Sequence, residues 1–315
     1  MTVAVAVALY NGARFVEQQL DSIRLQTRQP EQVVLCDDGS KDDTYQIVEA
    51  YIAKHGLQET WNLSRNPQNL GYIRNFYHAI SLCNTDFVFL SDQDDLWKLD
   101  KIEKMTGIME NMPQVDLLSC RYGIIDAEGE EQRSLVEPAA NTDEKLGMIS
   151  VEDIMTAYRW PGMLMCVRKD FFDKIQPAVQ NCDVAHDLMF AVCAADGDGF
   201  YEYHYIGAYH RRHDNNTARE EHRVTKLLNL QRKLTDISVT KKLWTNLLGD
   251  AVPIRQESRQ IIQTRLLLLE KREQALKNRS LSQVFRVYKE GGKLLRKASL
   301  FCDIWLVCFG KYEKP

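Results

Sequence analysis

"FVFLSDQDDLW", residues 87–97, is the stretch on which the fold of this chain turns. Phe87 to Leu90 is apolar on both faces and short, which reads as a strand inside a sheet covered on both sides. Asp92, Asp94 and Asp95 then crowd into positions 92–95. A helix cap needs one acid, and three at a strand end repel one another and raise their own pKa values unless a cation compensates. Hard carboxylate oxygens suit Mg²⁺ or Mn²⁺, which takes one or two protein carboxylates and keeps positions open for phosphate oxygens. The expectation is therefore a divalent cation, bridged to a pyrophosphate, beside these acids.

Working outward, strands and helices alternate. Val3–Leu9 reads as a strand, Asn11-Gly12 as a turn and residues 14–26 as a helix; strand 33–36 is followed by a loop and by a helix using Ile47, Val48, Tyr51 and Ile52. Helices are expected near Ile73–Leu82 and Lys98–Met109. Apolar strands alternating with helices imply an α/β chain with a mostly parallel sheet flanked by helices, binding its ligand beyond the carboxyl ends of the strands. Both acid clusters, Asp37-Asp38 and Asp92 to Asp95, fall at such ends. From residue 115 strand-like segments (115–126, 162–169, 201–213) and a helix from about Ala185 are expected to extend the sheet and form a second wall of the crevice.

Several motifs carry two readings. Asp37-Asp38-Gly39-Ser40 is turn chemistry with Ser40 or Asp42 as a helix cap, or it presents Asp38 as a fixed acceptor for a nucleobase N–H; spacing leaves both open. No G-x-x-x-x-G-K-[ST] loop and no G-x-G-x-x-G after the first strand are present, so a diphosphate must be held by metal and side chains. Arg74 is one candidate, if it is not simply a solvated helix residue. Asp187, after His186 at the start of a helix, is either stabilised by the helix dipole or a general base. In "YHRRHDNNT" (209–217), His210, Arg211, Arg212 and His213 form either a solvated basic turn or a cationic loop for a departing diphosphate, with His213 as a third metal ligand.

The bulk numbers set bounds. Of 315 residues 44% are hydrophobic and 27% charged, enough for a proper core. The net charge of −4 conceals a balance of −16 over residues 1–221 and +12 over residues 222–315, a split that points to two functional regions, one meeting an anionic surface. Eight cysteines with no C-x-x-C pair suggest a reducing compartment. With no basic region ahead of "VAVAVAL" and no run of about 18 apolar residues, a cytoplasmic protein without a spanning helix is expected. Residues 222–315 read as helical, basic and Leu-rich. The tail at 293–312 mixes Lys293, Arg296 and Lys297 with Phe301 and Trp305, as a helix lying on an anionic membrane does; alternatively it packs on the catalytic domain or on a second subunit of a homo-oligomer. No nucleic-acid-reading motif accompanies the basic residues.

Six motifs in this order and spacing, "ALYNGARFVEQQLDSI" (8–23), "DDGSKDDT" (37–44), "NLGYIRNF" (69–76), "FLSDQDDLW" (89–97), "HDLMF" (186–190) and "YHRRHDNNT", resemble the family 2 glycosyltransferases of GT-A fold, over roughly residues 1–220. The likeness is greatest to their bacterial rhamnosyltransferase-like branch. It implies a GT-A catalytic domain over residues 1–221, with a nucleotide-sugar-binding half (1–114) and an acceptor-binding half (115–221), followed by the helical region 222–315. It implies inverting, metal-dependent transfer of a sugar, rhamnose favoured, from a dTDP- or UDP-sugar to a lipid-linked saccharide of the cell wall or surface, at the inner face of the cell membrane. Residue by residue, the resemblance makes Asp38 the base-reading aspartate with Ala8 and Tyr10 lining the base pocket, and Asp92 and Asp94 the pair holding ribose and Mn²⁺ or Mg²⁺. Arg74 falls near the diphosphate, Asp187 matches the catalytic base and His213 stands at the metal-diphosphate end. Asp95, Asp37, His186 and Arg212 have less defined roles. Alternatives on chemistry alone are a nucleotidyltransferase and a non-catalytic saccharide- or membrane-binding scaffold.

Overall fold

The computed structural model describes residues 1–132, 142–213 and 229–310. Residues 214–217 of the basic loop, and the boundary expected at 221–222, lie outside them.

Two compact units are present. The first comprises Met1–Ile149, Trp160–Asn181 and the chain from Ala185 through the last strand. Its strands are β1 (Val3–Leu9), β2 (Gln32–Asp37), β3 (Trp61–Arg65), β4 (Phe87–Ser91), β5 (Leu96–Trp97), β6 (Leu117–Ile125), β7 (Glu131–Gln132), β8 (Leu146–Met148), β9 (Met165–Arg168) and β10 (Phe200–Arg211). They form one sheet in the order β3-β2-β1-β4-β9-β6-β10-β5, with β7 on β6 and β8 on β10. β3, β2, β1 and β4 are parallel, β9 runs antiparallel between β4 and β6, and β10 is parallel to β6. The apolar strands are buried as their composition requires: every residue of β4 is buried. β3 has no counterpart in the sequence reading because "WNLSR" is an edge strand with only Trp61 buried, which leaves no apolar run to see.

Helices α1 (Val16–Arg24), α2 (Thr44–His55), α3 (Tyr72–Ser81), α4 (Lys101–Asn111), α6 (Lys169–Val179) and α7 (His186–Asp196) flank this sheet, while α5 (Val151–Thr156) belongs to the second unit. α2 stops at Gly56, whose φ of 66° is the left-handed C-terminal cap that glycine adopts without strain. α4 starts three residues later than the apolar pattern suggests, because Leu96-Trp97 is drawn into the sheet against Tyr209 and Ala208.

The second unit contains Ser150–Arg159, Cys182–Val184 and the helices α8 (Leu230–Asn246), α9 (Gln256–Lys277), α10 (Leu281–Gly291) and α11 (Lys297–Phe309). α5 is fixed by a reciprocal cap in which Ser150 Oγ accepts from the Asp153 N–H and the Asp153 carboxylate from the Ser150 N–H. Leu268, Val287 and Leu295 form an apolar core of this unit. Beside it, Asp303 of α11 is fully buried and accepts from Arg272 Nε (2.6 Å), Arg272 Nη2 (2.8 Å) and Tyr288 Oη (2.8 Å). No helix among the described residues is long and apolar enough to cross a membrane.

Candidate active site

Sheet register assembles the site. Leu9 pairs with Asp37 and Val7 with Ser91, so Tyr10, Asp38 and Asp92 leave the sheet side by side at the carboxyl ends of three parallel strands. The crevice lies where the strand order turns from β2-β1 to β1-β4, the place an open α/β sheet offers a ligand.

Asp38 is 2% exposed. Its Oδ1 accepts from Asn66 Nδ2 (2.9 Å) and the Leu70 N–H (2.7 Å), and its Oδ2 from the Gly71 N–H (2.9 Å). A carboxylate has about four lone-pair positions, so three are spent shaping the 66–71 loop and one on Oδ2 is open. Asn66 and Asn75 extend this network to the Cys36 carbonyl. Asp37, fully buried, pairs with Arg65 Nε at 2.7 Å, and Arg65 lies over the Tyr45 ring. Ala8 is half-buried, Tyr10 is 44% exposed and Arg74 is exposed on the first turn of α3.

The loop after β4 is tied to the loop after β1 by a residue the sequence reading passed over. Gln93 Oε1 accepts from the Tyr10 N–H (2.8 Å) and its Nε2 donates to the Tyr10 carbonyl (2.7 Å). Gly12 is needed beneath it: a Cβ there would lie 2.2 Å from Gln93 Cδ.

The acids meet their counter-charges through the edge of the sheet. Because Leu96 pairs with Tyr209 and Trp97 with Ala208, the next residues outward, Asp95 and His210, face each other. Asp95, 1% exposed, accepts on Oδ1 from His210 Nδ1 and from the Arg211 N–H, both at 3.1 Å. Asp94 Oδ2 lies 2.9 Å from His213 Nε2. Arg211 is fully buried; it donates to the Asp94 carbonyl (2.9 Å), to the Ala127 carbonyl (3.0 Å) and to Gln18 Oε1 (2.6 Å). Phe15 is the floor for both side chains, with the Arg211 guanidinium 4.9 Å and the His213 ring 4.6 Å from its ring centre. Beneath the loop, buried Lys101 donates to the Met163 carbonyl (2.7 Å) and sits 3.6 Å from the Trp97 ring centre. The expectation that a bound ion alone compensates the acids is therefore incomplete: the chain brings cations of its own from β10 and α4.

Compensation is partial. Burial, then repulsion from Asp95, Asp94 and Asp187, pushes the Asp92 carboxyl well above the usual carboxylate range. Burial and Asp95 raise Asp94 as well, against the pull of His213 and His210. Burial opposes protonation of His210, but its hydrogen bond to Asp95 and the charges of Asp95, Asp92 and Asp94 outweigh that and raise it to about 9. Asp95 Oδ2 is buried with no hydrogen-bond partner among the described residues. Surplus negative charge, an orphaned hard oxygen and an adjacent imidazole are a donor set that fits Mg²⁺ or Mn²⁺. No three His, Cys, Asp or Glu side chains among the described residues converge on one point, so side chains alone would not complete the shell of such an ion.

Asp187 stands in the first turn of α7, half-buried, close enough to Asp92 to raise its pKa. His186 before it is 4% exposed, stacks on Phe76 at 4.2 Å between ring centres, and finds no partner for either ring nitrogen among the described residues; burial lowers its pKa. The Arg212 N–H donates to the Ile125 carbonyl, continuing the β6–β10 ladder past its last pair.

The model of glycosyl transferase family 2 matches residues 4–172. The chain belongs to that family. As a family 2 chain it is similar to the dTDP-rhamnosyl transferase RfbG of Shigella flexneri, 35% identical over 101 residues that make up 31% of this chain and 34% of RfbG. It is also similar to the putative glycosyltransferase EpsE of Bacillus subtilis, 29% identical over 34% of this chain and 38% of EpsE. The chain thus spans between a third and two fifths of the length of these curated relatives. Among solved structures, TarS 1–349 of S. aureus in complex with UDP-GlcNAc superposes with a TM-score of 0.62 over 92% of this chain and 81% of that one, at 16% identity. The mannosyltransferase PcManGT of Pyrobaculum calidifontis, in complex with GDP-Man and Mn²⁺, gives 0.52 over 97% and 84%, also at 16% identity. Likeness at that level establishes the GT-A fold of this family 2 domain.

Proposed function

We propose that this protein transfers a sugar, with inversion, from a nucleoside-diphosphate donor to a hydroxyl of a saccharide acceptor. The observation that carries the reading is the acid cluster at the β4 end, incompletely neutralised and near enough to Asp187 for the two to repel. Asp38 would use its open Oδ2 position to accept from the base, with Ala8 and Tyr10 beside the base and Arg74 near the diphosphate. Asp94 and Asp92 would hold Mn²⁺ or Mg²⁺, with His213 and Asp95 standing beside them, and the ion would supply Lewis-acid stabilisation of the leaving diphosphate. Asp187 takes the proton from the acceptor hydroxyl. The oxygen attacks the anomeric carbon from the face opposite the leaving group, and the bond from that carbon to the diphosphate oxygen breaks with its electron pair staying on the diphosphate. His210, protonated at neutral pH, and Arg211 keep that side of the site cationic.

The RfbG likeness favours dTDP-rhamnose as donor over UDP-sugars, and the branch resemblance favours a lipid-linked acceptor of cell-wall or surface polysaccharide on the cytoplasmic side. Asp187→Asn is expected to lower turnover by ~10²- to 10⁴-fold, the range of general-base catalysis, with donor binding by calorimetry unchanged. Asp94→Ala is expected to abolish the Mn²⁺-dependent thermal shift given by the nucleotide sugar. Parental turnover in Asp187→Asn would remove the base assignment; a full Mn²⁺-dependent shift in Asp94→Ala would remove the metal site.

A further inference from the structure

α11 is packed inside out. Its one acid, Asp303, points inward and is fully buried, as are Leu306 and Val307 nearly so, while Phe301, Trp305 and Phe309 are 73%, 38% and 68% exposed. The three aromatics recur every fourth residue behind the exposed Lys297, which places all four on one stripe of the helix. Asp303 sets this orientation. Its bidentate pair with Arg272 and its bond from Tyr288 fix the helix about its own axis, and turning the aromatics inward would carry the carboxylate out of that pair and leave Arg272 buried and alone. The stripe is therefore exposed by construction.

Charge says what covers it. Arg286, Lys289, Lys293, Arg296 and Lys297 are all exposed on α10, α11 and the turn between them. The two acids of residues 281–310 are unavailable: Glu290 is paired with Lys271 at 2.6 Å and Asp303 is buried. Phe285 of α10 adds a further exposed aromatic, at 52%. Aromatics at the level of a basic rim match the headgroup boundary of an anionic bilayer, where rings enter the acyl region and lysines and arginines meet phosphate. A second copy fits less well, because two-fold pairing brings the same basic residues against one another.

We propose that the α10–α11 face binds the surface of an anionic lipid bilayer, inserting Phe301, Trp305 and Phe309 between headgroups. This does not rest on the sugar-transfer reading, and loss of one leaves the other standing. The test is co-sedimentation of the full-length protein with phosphatidylglycerol-containing vesicles and with pure phosphatidylcholine vesicles, at low and raised salt. Binding is expected to the anionic vesicles only, weakened about fivefold for each of Lys293, Arg296 and Lys297 changed to Gln, as expected for basic residues near an anionic leaflet. Phe301→Ser with Phe309→Ser is expected to abolish retention at raised salt while circular dichroism stays that of the parent, since both side chains are already in solvent. Failure to sediment with anionic vesicles, or sedimentation indifferent to the serine pair, overturns the proposal. So does a dimer in sedimentation velocity that the serine pair dissolves, which would assign the face to a second copy of the chain.

Discussion

Gln93 and Lys101 show how much of the site is held by side chains that do no chemistry. Gln93 bridges both polar groups of the Tyr10 backbone, and Gly12 leaves the room it needs. Gly12→Ala and Gln93→Ala should each lower stability by ~1–2 kcal/mol, the net worth of two hydrogen bonds, and the double variant should cost no more than the worse single one, because both remove the same clamp; urea midpoints read this directly. Lys101 carries a pH signature. Burial, offset in part by Cys120, Asp95, Cys166 and Asp92, brings its ammonium down to about 8. Between that value and the ordinary lysine range the unfolded chain holds a proton that the folded chain does not, so this residue makes stability rise with pH from about 8 to 10. Measured against Lys101→Met, the parent should gain on the order of 3 kcal/mol across that window; a constant difference would show that Lys101 is not buried as a cation.

Among elements, the two-residue β5 does more for the site than any long helix. Its pairing with β10 delivers His210, Arg211 and His213 to the acids of residues 92–95. In the second unit the corresponding device is the Arg272–Asp303 pair between α9 and α11. Arg272→Met should destabilise the C-terminal helices by ~3–5 kcal/mol, the cost of stranding a buried charge, whereas Arg272→Met combined with Asp303→Leu should recover most of that loss. Urea unfolding monitored by far-ultraviolet dichroism distinguishes the two. α5 and α6 and the edge strand β3 were not legible in the sequence. α5 is six residues long, too short for an apolar period, and β3 owes its sheet pairing to β2 alone among the described residues. The three parallel apolar strands β1, β2 and β4 and the helix α7 were legible because their burial is nearly complete.

At the scale of the molecule, the two units hold separate apolar cores and opposite charge balances. All the candidate site residues belong to the first unit. A saturating donor with Mn²⁺ should therefore stabilise the first unit by ~2.7 kcal/mol at a hundred times its Kd, while leaving the second untouched. Scanning calorimetry should show one transition moving up and the other staying in place; both moving together would show that the units unfold as one.

The chain's order of residues determined the α/β class, the strand ends at which acids collect and the family to which those motifs belong, because strand burial and loop chemistry are written locally as apolar runs and carboxylate clusters. Spacing also marked Asp187 and the basic run at 209–213 as candidates. Only tertiary structure decided which charges meet. Asp95 and His210 are 115 residues apart in sequence, and their contact depends on a register between β5 and β10 that no local pattern encodes. Asp38, legible as an acid at a strand end, turned out to hold a loop with three of its lone pairs, and the outward face of α11 followed from one buried ion pair. Long-range pairing and burial set those outcomes, and neither is a property of any single segment.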